Sequence, residues 1–320
     1  MTAPNFQQKT PLQPLYCNHD CYWIALNEYY QQTQRQEILA KWTEAEFDSY
    51  VVKVLFEKFG DKLDDQPLRV LGVGSSEGNQ ETLQLKKLKT KFSQISATVI
   101  EPSTERISKY QDMVRQNSSD ITRIEYSWHN QTFHQFVTSM KAGQKYHFIT
   151  IIHAIYFVGE VEDSVRKLYE LLEPGGIIFL IAITGHTGMG FLMKTFPHLA
   201  LEKQTPSATT EPQRVKTNYF TNSTVVQSIL KKYQMAYTHA SSYIESVDLT
   251  TYFTEEETTP DTKLMLDFIT MTVKFHESEP GEIFNQVMDF IKRYIRVKKS
   301  DQGDDKYYFD TECDILVISK

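Results

Sequence analysis

The sequence predicts an α/β fold with a mostly parallel sheet and helices on both of its faces. Three observations predict it. Five short apolar runs recur between Leu68 and Thr184, and strands buried on both faces read as such continuous runs. Amphipathic stretches at helical spacing separate them, as the crossovers of a parallel sheet require. A last apolar run, FDTECDILVIS, lies near the C-terminus, and its return to the sheet, with the extended run at Met235–Tyr243, would bring the strand number to seven.

The elements follow in order. Residues 1–20 are polar and proline-containing and read as a flexible tail. Residues 21–60 read as a helical cap, because Trp23, Leu26, Tyr29 and Tyr30, and then Phe47, Val51, Val54 and Leu55, recur at helical spacing. Residues 61–185 form the core. Its predicted strands are LRVLGVG (Leu68–Gly74), ATVIEP (Ala97–Pro102), ITRIEYSW (Ile121–Trp128), YHFITIIHAI (Tyr146–Ile155) and GIIFLIAIT (Gly176–Thr184). Helices are expected around Leu83–Leu88, Ile107–Val114 and Val165–Leu172. In residues 186–305 the rhythm breaks into an elaboration. It holds a glycine-bearing loop or short helix (GHTGMGFLMKTFP), polar loops at Lys203–Lys216 and Thr254–Asp261, and an extended run at Met235–Tyr243. Helices are expected near Val225–Tyr233, Lys263–Phe275 and Gly281–Ile295. Residues 306–320 are the closing strand.

Composition bounds the function. A chain of 320 residues, 40% hydrophobic, is long enough to bury a full core. A net charge of −7 lacks the basic footprint of a nucleic-acid binder. Three cysteines, Cys17, Cys21 and Cys313, are odd in number and too few for a disulfide framework, which fits a reducing compartment. The opening residues lack a basic-then-apolar signal, and no run approaches the ~18 apolar residues of a membrane span. A cytoplasmic monomer without membrane or nucleic-acid partners is expected. Cys17, His19 and Cys21 lack the second ligand pair of a structural zinc site, so no metal is expected.

The chemistry is carried first by Val70-Leu-Gly-Val-Gly-Ser-Ser-Glu-Gly78, where a strand runs through Gly72, Gly74 and Gly78 into a helix. Such a loop lets the backbone approach a ligand, although a plain tight turn has the same composition. Glu101 ends the second strand, where an acid accepts ribose hydroxyls in nucleoside-binding Rossmann folds; alone, it reads equally as a solvated acid. The glycines run G-x-G-x-x-x-G, one residue off the dinucleotide spacing. S-adenosylmethionine has no pyrophosphate to cradle, so the departure favours it over NAD. Gly74–Gly78 also fits the G-x-S-x-G elbow of hydrolases, but it follows the first strand, and no acid and histidine follow in triad order. A serine nucleophile at Ser76 is therefore the weaker reading.

Gly74–Gly78, VIEPSTERISKY (Val99–Tyr110), YSWHNQTF (Tyr126–Phe133), FITIIHAIYFV (Phe148–Val158), LMLDFITMTVKF (Leu264–Phe275) and the closing FDTECDILVIS together resemble the histamine N-methyltransferase family. The resemblance runs from about Tyr22 to the C-terminus and is thin from Lys203 to Ser223. It implies a Rossmann-like class I methyltransferase fold with a helical substrate cap, S-adenosylmethionine as donor and S-adenosylhomocysteine as product. It places Gly74, Glu101 and Ile152 at the cofactor. A family glutamine falls at Arg106, and an adenine-contacting serine falls near Thr132 or Phe133.

The substrate side departs from the family. Its amine-binding glutamate becomes Arg35, with Glu37 two residues on. A glutamine after the fourth strand becomes His153, an asparagine near the last strand becomes Thr311, and two tryptophans become Met189 and Met193. Tyr22, Tyr156, Phe157, Phe196 and Phe253 are the expected aromatic lining. Arg35 and the methionines also fit a solvated face and plain packing.

The expected activity is in-line methyl transfer to a small imidazole- or amine-containing molecule, histamine-like or an imidazole dipeptide such as carnosine. His153 would orient the acceptor ring and help remove its surplus proton, while Arg35 would take an acceptor carboxylate. The alternatives are a non-catalytic relative that binds the donor and a methyltransferase of another small amine.

Overall fold

The segment expected as one helical stretch folds as three helices in the computed structural model, which describes residues 12–63, 66–116, 124–196, 199, 221–254, 258–278 and 281–320. Helix α1 (His19–Thr33) stops where Gln34 turns to a left-handed φ of 53°. Helix α2 (Arg35–Phe47) then begins, and a π-helical turn over Asp48–Val52 leads into α3 (Lys53–Phe59).

The alternation that follows is β1 (Leu68–Val73), α4 (Asn79–Lys89), β2 (Ile95–Ile100), α5 (Thr104–Gln116), β3 (Ile124–His129), α6 (Phe133–Ser139), β4 (Tyr146–Ile152), α7 (Val161–Glu170) and β5 (Leu172–Ile183). The first three residues of the predicted third strand, 121–123, lie outside the described residues. Beyond β5 come α8 (Gly188–Thr195), α9 (Ser223–Lys232), β6 (Ala236–Asp248), α10 (Thr250–Thr254), α11 (Pro260–Thr270), α12 (Glu282–Arg293), β7 (Ile295–Lys299) and β8 (Asp305–Ser319). Helix α11 starts on a Thr259 cap with Pro260 in its first turn, where proline's missing N–H leaves no bond unmade. The predicted polar loop Lys203–Lys216 lies outside the described residues.

The strand order is β3-β2-β1-β4-β5-β8-β6, with β7 paired to β8. The described sheet therefore has eight strands, not the seven expected. The addition is β7, which pairs with the start of β8 from Ile295↔Phe309 to Lys299↔Asp305 around the charged turn. IRVKK is largely exposed and carries no apolar run, so nothing in its pattern announces a strand. Strands β1 to β5 are parallel, and β8 runs antiparallel to β5.

The described residues form two compact units, one drawn from Met1–Thr33, Phe191–Thr209 and Ser246–Asp310, the other from Gln34–Gly190, Thr210–Glu245 and Thr311–Lys320. In the first, the Tyr29 ring packs 4.4 Å from Phe268. The buried Asp267 accepts the backbone N–H groups of Lys274 and Phe275, which fixes the turn after α11.

In the second unit the alternate residues of β4 serve two cores. Phe148 meets Phe47 edge-on, and Phe47 also meets Phe179. Ile149 and Ile151 join Val165, Leu168, Val226 and Ile229 in the other cluster. Chain order reverses between neighbours β1 and β4, since β2 and β3 lie on one side and β5 on the other. Ligands of open parallel sheets bind at the strand carboxyl ends beside such a reversal, and Gly74 and His153 follow β1 and β4 there. Among the described residues no helix is long and apolar enough to cross a membrane.

Candidate active site

At the carboxyl end of β1 the chain adopts three left-handed residues in a short span, Gly74 (φ 66°), Ser76 (φ 50°) and Gly78 (φ 77°). A side chain at Gly74 would place its Cβ 2.6 Å from the Cβ of Ala154, and one at Gly78 would meet the Tyr110 ring at 2.2 Å. Two of the sequence glycines are thus required by both dihedral and space. The contact at Gly74 also brings the β1 loop against the residue that follows His153.

Glu101 follows β2 and is 5% exposed. One carboxylate oxygen accepts the Ser76 N–H at 2.8 Å and the other accepts the Ser103 N–H at 2.8 Å. Burial raises its pKa, while those bonds and nearby Arg106 favour the charged form. Arg106 is itself buried, and its Nη1 donates to Glu77 of the glycine loop at 2.5 Å. Thr132 caps α6, exchanging hydrogen bonds with Gln135, and Phe133 is buried in the apolar cluster of this unit.

Ile152 ends β4, and His153 follows with a φ of 50°, a conformation uncommon for a residue with a side chain. Its N–H donates to the Ile181 carbonyl. Both ring nitrogens have neighbours: Nδ1 lies 3.4 Å from the Tyr156 hydroxyl and Nε2 lies 2.7 Å from the Tyr243 hydroxyl. Tyr156 also accepts the Ile183 N–H at 2.6 Å. The carboxylate of Glu245 is 3.8 Å from His153 Nε2. Burial, and next the Arg35 charge, push the His153 pKa down to about 3, against the opposing pull of Glu245. Burial likewise raises the pKa values of Tyr156, Tyr243 and Cys313.

Arg35 belongs to this cluster, and the carboxylate it holds is the chain's own. Its Nε and Nη2 donate to the two oxygens of Glu245 at 2.5 and 2.6 Å. His153, Glu245 and Cys313 also bring three metal-type ligand atoms within 4.8 Å of one another. A cation there would have to compete with the guanidinium that already spans the carboxylate.

The other expected substrate residues distribute unevenly. Glu37 is exposed and pairs with Lys41 one helical turn on. Thr311 is buried, and its hydroxyl accepts the Met189 N–H at 3.1 Å. Phe157 stacks edge-on against Tyr156. Tyr22, Met193, Phe196 and Phe253 belong to the first unit. There Tyr22 packs on Trp23 and Phe268, Phe196 on Phe290 and Phe253 on Tyr307, while Met193 is buried.

Sequence reasoning missed Tyr243, Glu245 and Cys313 as site residues. The alternation of β6 misleads here, because Glu245 is fully buried while its neighbour Ile244 is 56% exposed. A strand that turns its acid inward and its isoleucine outward inverts the usual alternation.

The chain is 26% identical to histamine N-methyltransferase B of Xenopus laevis over 79% of this chain and 82% of that protein. It is 24% identical to histamine N-methyltransferase A of the same organism, over 96% of this chain and 98% of that protein. With carnosine N-methyltransferase 2 of Gallus gallus it shares 24% identity over 68% of this chain and 64% of that protein. The profile described as "Methyltransferase domain" matches residues 43–239, more than half the chain. With the glycine loop, the buried acid after β2 and the parallel sheet in place, the protein belongs to the methyltransferase-domain family and is an S-adenosylmethionine-dependent methyltransferase.

Proposed function

We propose that the protein methylates a nitrogen of a small imidazole- or amine-containing acceptor. The observation that carries this reading is His153: a largely buried, neutral histidine at the end of β4, next to the residue that packs against the glycine loop at Gly74.

The residues suit the donor. Glu101 has one lone pair on each oxygen engaged by a backbone N–H, which leaves capacity on both for the vicinal hydroxyls of a ribose. Gly74 keeps the first turn free of side chain. When bound, S-adenosylmethionine supplies an electrophilic methyl group whose S–C bond breaks as the N–C bond forms, releasing S-adenosylhomocysteine. The protein's task is then to hold a nitrogen lone pair in line and keep water out.

His153 suits the first task. The Tyr156 hydroxyl accepts from Ile183, and Tyr243 lies close to Nε2. This pattern favours the tautomer with hydrogen on Nε2 donating to Tyr243. The Nδ1 lone pair, whose Tyr156 contact is long at 3.4 Å, then accepts the N–H of the acceptor ring. That bond directs the ring's other nitrogen outward for attack. A histidine that takes up a proton only near pH 3 does not carry one away at neutral pH. The proposal therefore keeps the orienting half of the expected role and leaves the product's proton to solvent.

The test is methyl transfer from labelled donor to histamine, carnosine, histidine and aromatic amines. Transfer to at least one is expected, with His153→Ala lowering turnover at least tenfold. No transfer to any of them refutes the proposal.

A further inference from the structure

Arg35 opens α2 and Glu245 lies on β6, yet they meet through two parallel bonds of 2.5 and 2.6 Å. Arg35 is 6% exposed and Glu245 0%. The pair stands beside the histidine to which the acceptor is assigned, since Glu245 Oε1 is 3.8 Å from His153 Nε2. Both oxygens of the carboxylate are held, in the fork geometry that guanidinium and carboxylate share. The formal charges cancel. The titratable groups that pack around the pair, His153, Tyr156, Tyr243 and Cys313, are all kept in their neutral forms by burial.

This neighbourhood is therefore without net charge among the described residues. An ion brought to such a place loses its hydration and gains no compensating partner. An acceptor carboxylate brought to the Arg35 fork meets the Glu245 charge already paired there. An acceptor ammonium brought to Glu245 meets the Arg35 charge in the same way. Either ion adds a net charge to a neutral, buried cluster. The cluster thus opposes both signs, whereas an arginine alone would have favoured a carboxylate.

We propose that the Arg35–Glu245 pair sets the charge class of the acceptor, so that the part of the molecule next to the reacting ring is uncharged. A neutral imidazole with an uncharged substituent is then preferred to one bearing an ammonium or a carboxylate. The proposal rests on the small-acceptor reading above and narrows it. It also replaces the expectation that Arg35 recognises a dipeptide carboxylate.

The experiment is a series of acceptors of similar size: N-acetylhistamine (neutral), histamine (cationic) and imidazolepropionate (anionic), each with labelled S-adenosylmethionine. For the wild type, kcat/KM for the neutral acceptor is expected to exceed both others at least fivefold. Glu245→Gln leaves the guanidinium charge uncompensated and should shift the ratio at least fivefold toward the anion. Arg35→Gln should shift it as far toward the cation. The double variant, neutral again, should restore the wild-type order. If a single variant fails to fold, as thermal melts would reveal, the wild-type series and the double variant still decide. A wild-type preference below fivefold, or for a charged acceptor, overturns the proposal while leaving the small-acceptor reading intact. Methylation of none of the three, nor of the wider panel, overturns that reading and this proposal with it.

Discussion

His153 Nε2 lies 2.7 Å from the hydroxyl of Tyr243, 90 residues further along the chain. The histidine hangs at the end of a parallel strand in a left-handed conformation, and the tyrosine is placed to accept a hydrogen from that nitrogen. In the proposed reaction Tyr243 is a positioning residue that acts through the imidazole. Removing its hydroxyl leaves a buried N–H unsatisfied, at a cost of about 1–3 kcal/mol. Tyr243→Phe should lower kcat roughly tenfold or more while donor affinity, measured by calorimetry, stays within twofold. Equal losses in donor binding and turnover would show a merely structural role.

The His153 pKa of about 3 in the folded protein lies below its ordinary 6.5. The unfolded chain therefore takes up this proton first as pH falls. The stability tied to neutral His153 is complete above about pH 6.5 and is lost progressively down to about pH 3, with roughly 2 kcal/mol gone by pH 5. His153→Gln removes the titration. The gap in melting temperature between wild type and variant should then move in the variant's favour by roughly 4 °C between pH 7 and pH 5. A gap independent of pH would place the histidine in a wetter site than its burial implies. The wild-type rate should likewise show no inflection from this residue between pH 5 and 8.

Strands β1, β2, β4 and β5 were legible because parallel strands covered on both faces leave unbroken apolar runs, and Glu101 was legible because it is the acid that ends the second of those runs. The hairpin strand β7 was not, since IRVKK stays exposed. Helix α6 hides in seven residues, too few to show a period. Arg35 could be placed by helical position, but its partner could not. Their pairing closes over 210 residues, and no local pattern encodes a contact of that range. Glu37, two positions from Arg35, falls on a different face of the same helix, where Lys41 takes it up in solvent.

Glu101 couples two backbone turns through one carboxylate, holding Ser76 of the glycine loop and Ser103 before α5. An amide can accept one of these bonds but presents a donor to the other N–H. Glu101→Gln should therefore loosen the loop and remove an acceptor from the ribose site. A loss of at least tenfold in affinity for both S-adenosylmethionine and S-adenosylhomocysteine is expected by calorimetry. Unchanged binding of both would remove Glu101 from the donor site.

Glu81 in the first turn of α4 lies behind the same loop, 4% exposed, with the Ser75 hydroxyl donating to it at 2.5 Å. Burial pushes its pKa up to about 7, against the hydrogen bond from Ser75 and the influence of the nearby Tyr110 hydroxyl. An acid whose pKa is raised on folding contributes its full stability below the unfolded value near 4.5. That contribution is lost as pH rises through about 7, a total of roughly 3 kcal/mol. Above neutrality the fold therefore carries a buried charge behind the glycine loop. Glu81→Gln keeps an acceptor for Ser75 and abolishes the charge. The variant should gain stability over wild type at pH 8 and gain little at pH 5, read from urea melts at the two pH values. If its advantage is the same at both, the carboxyl is already ionised in the fold at pH 5, and the loop tolerates the charge without strain.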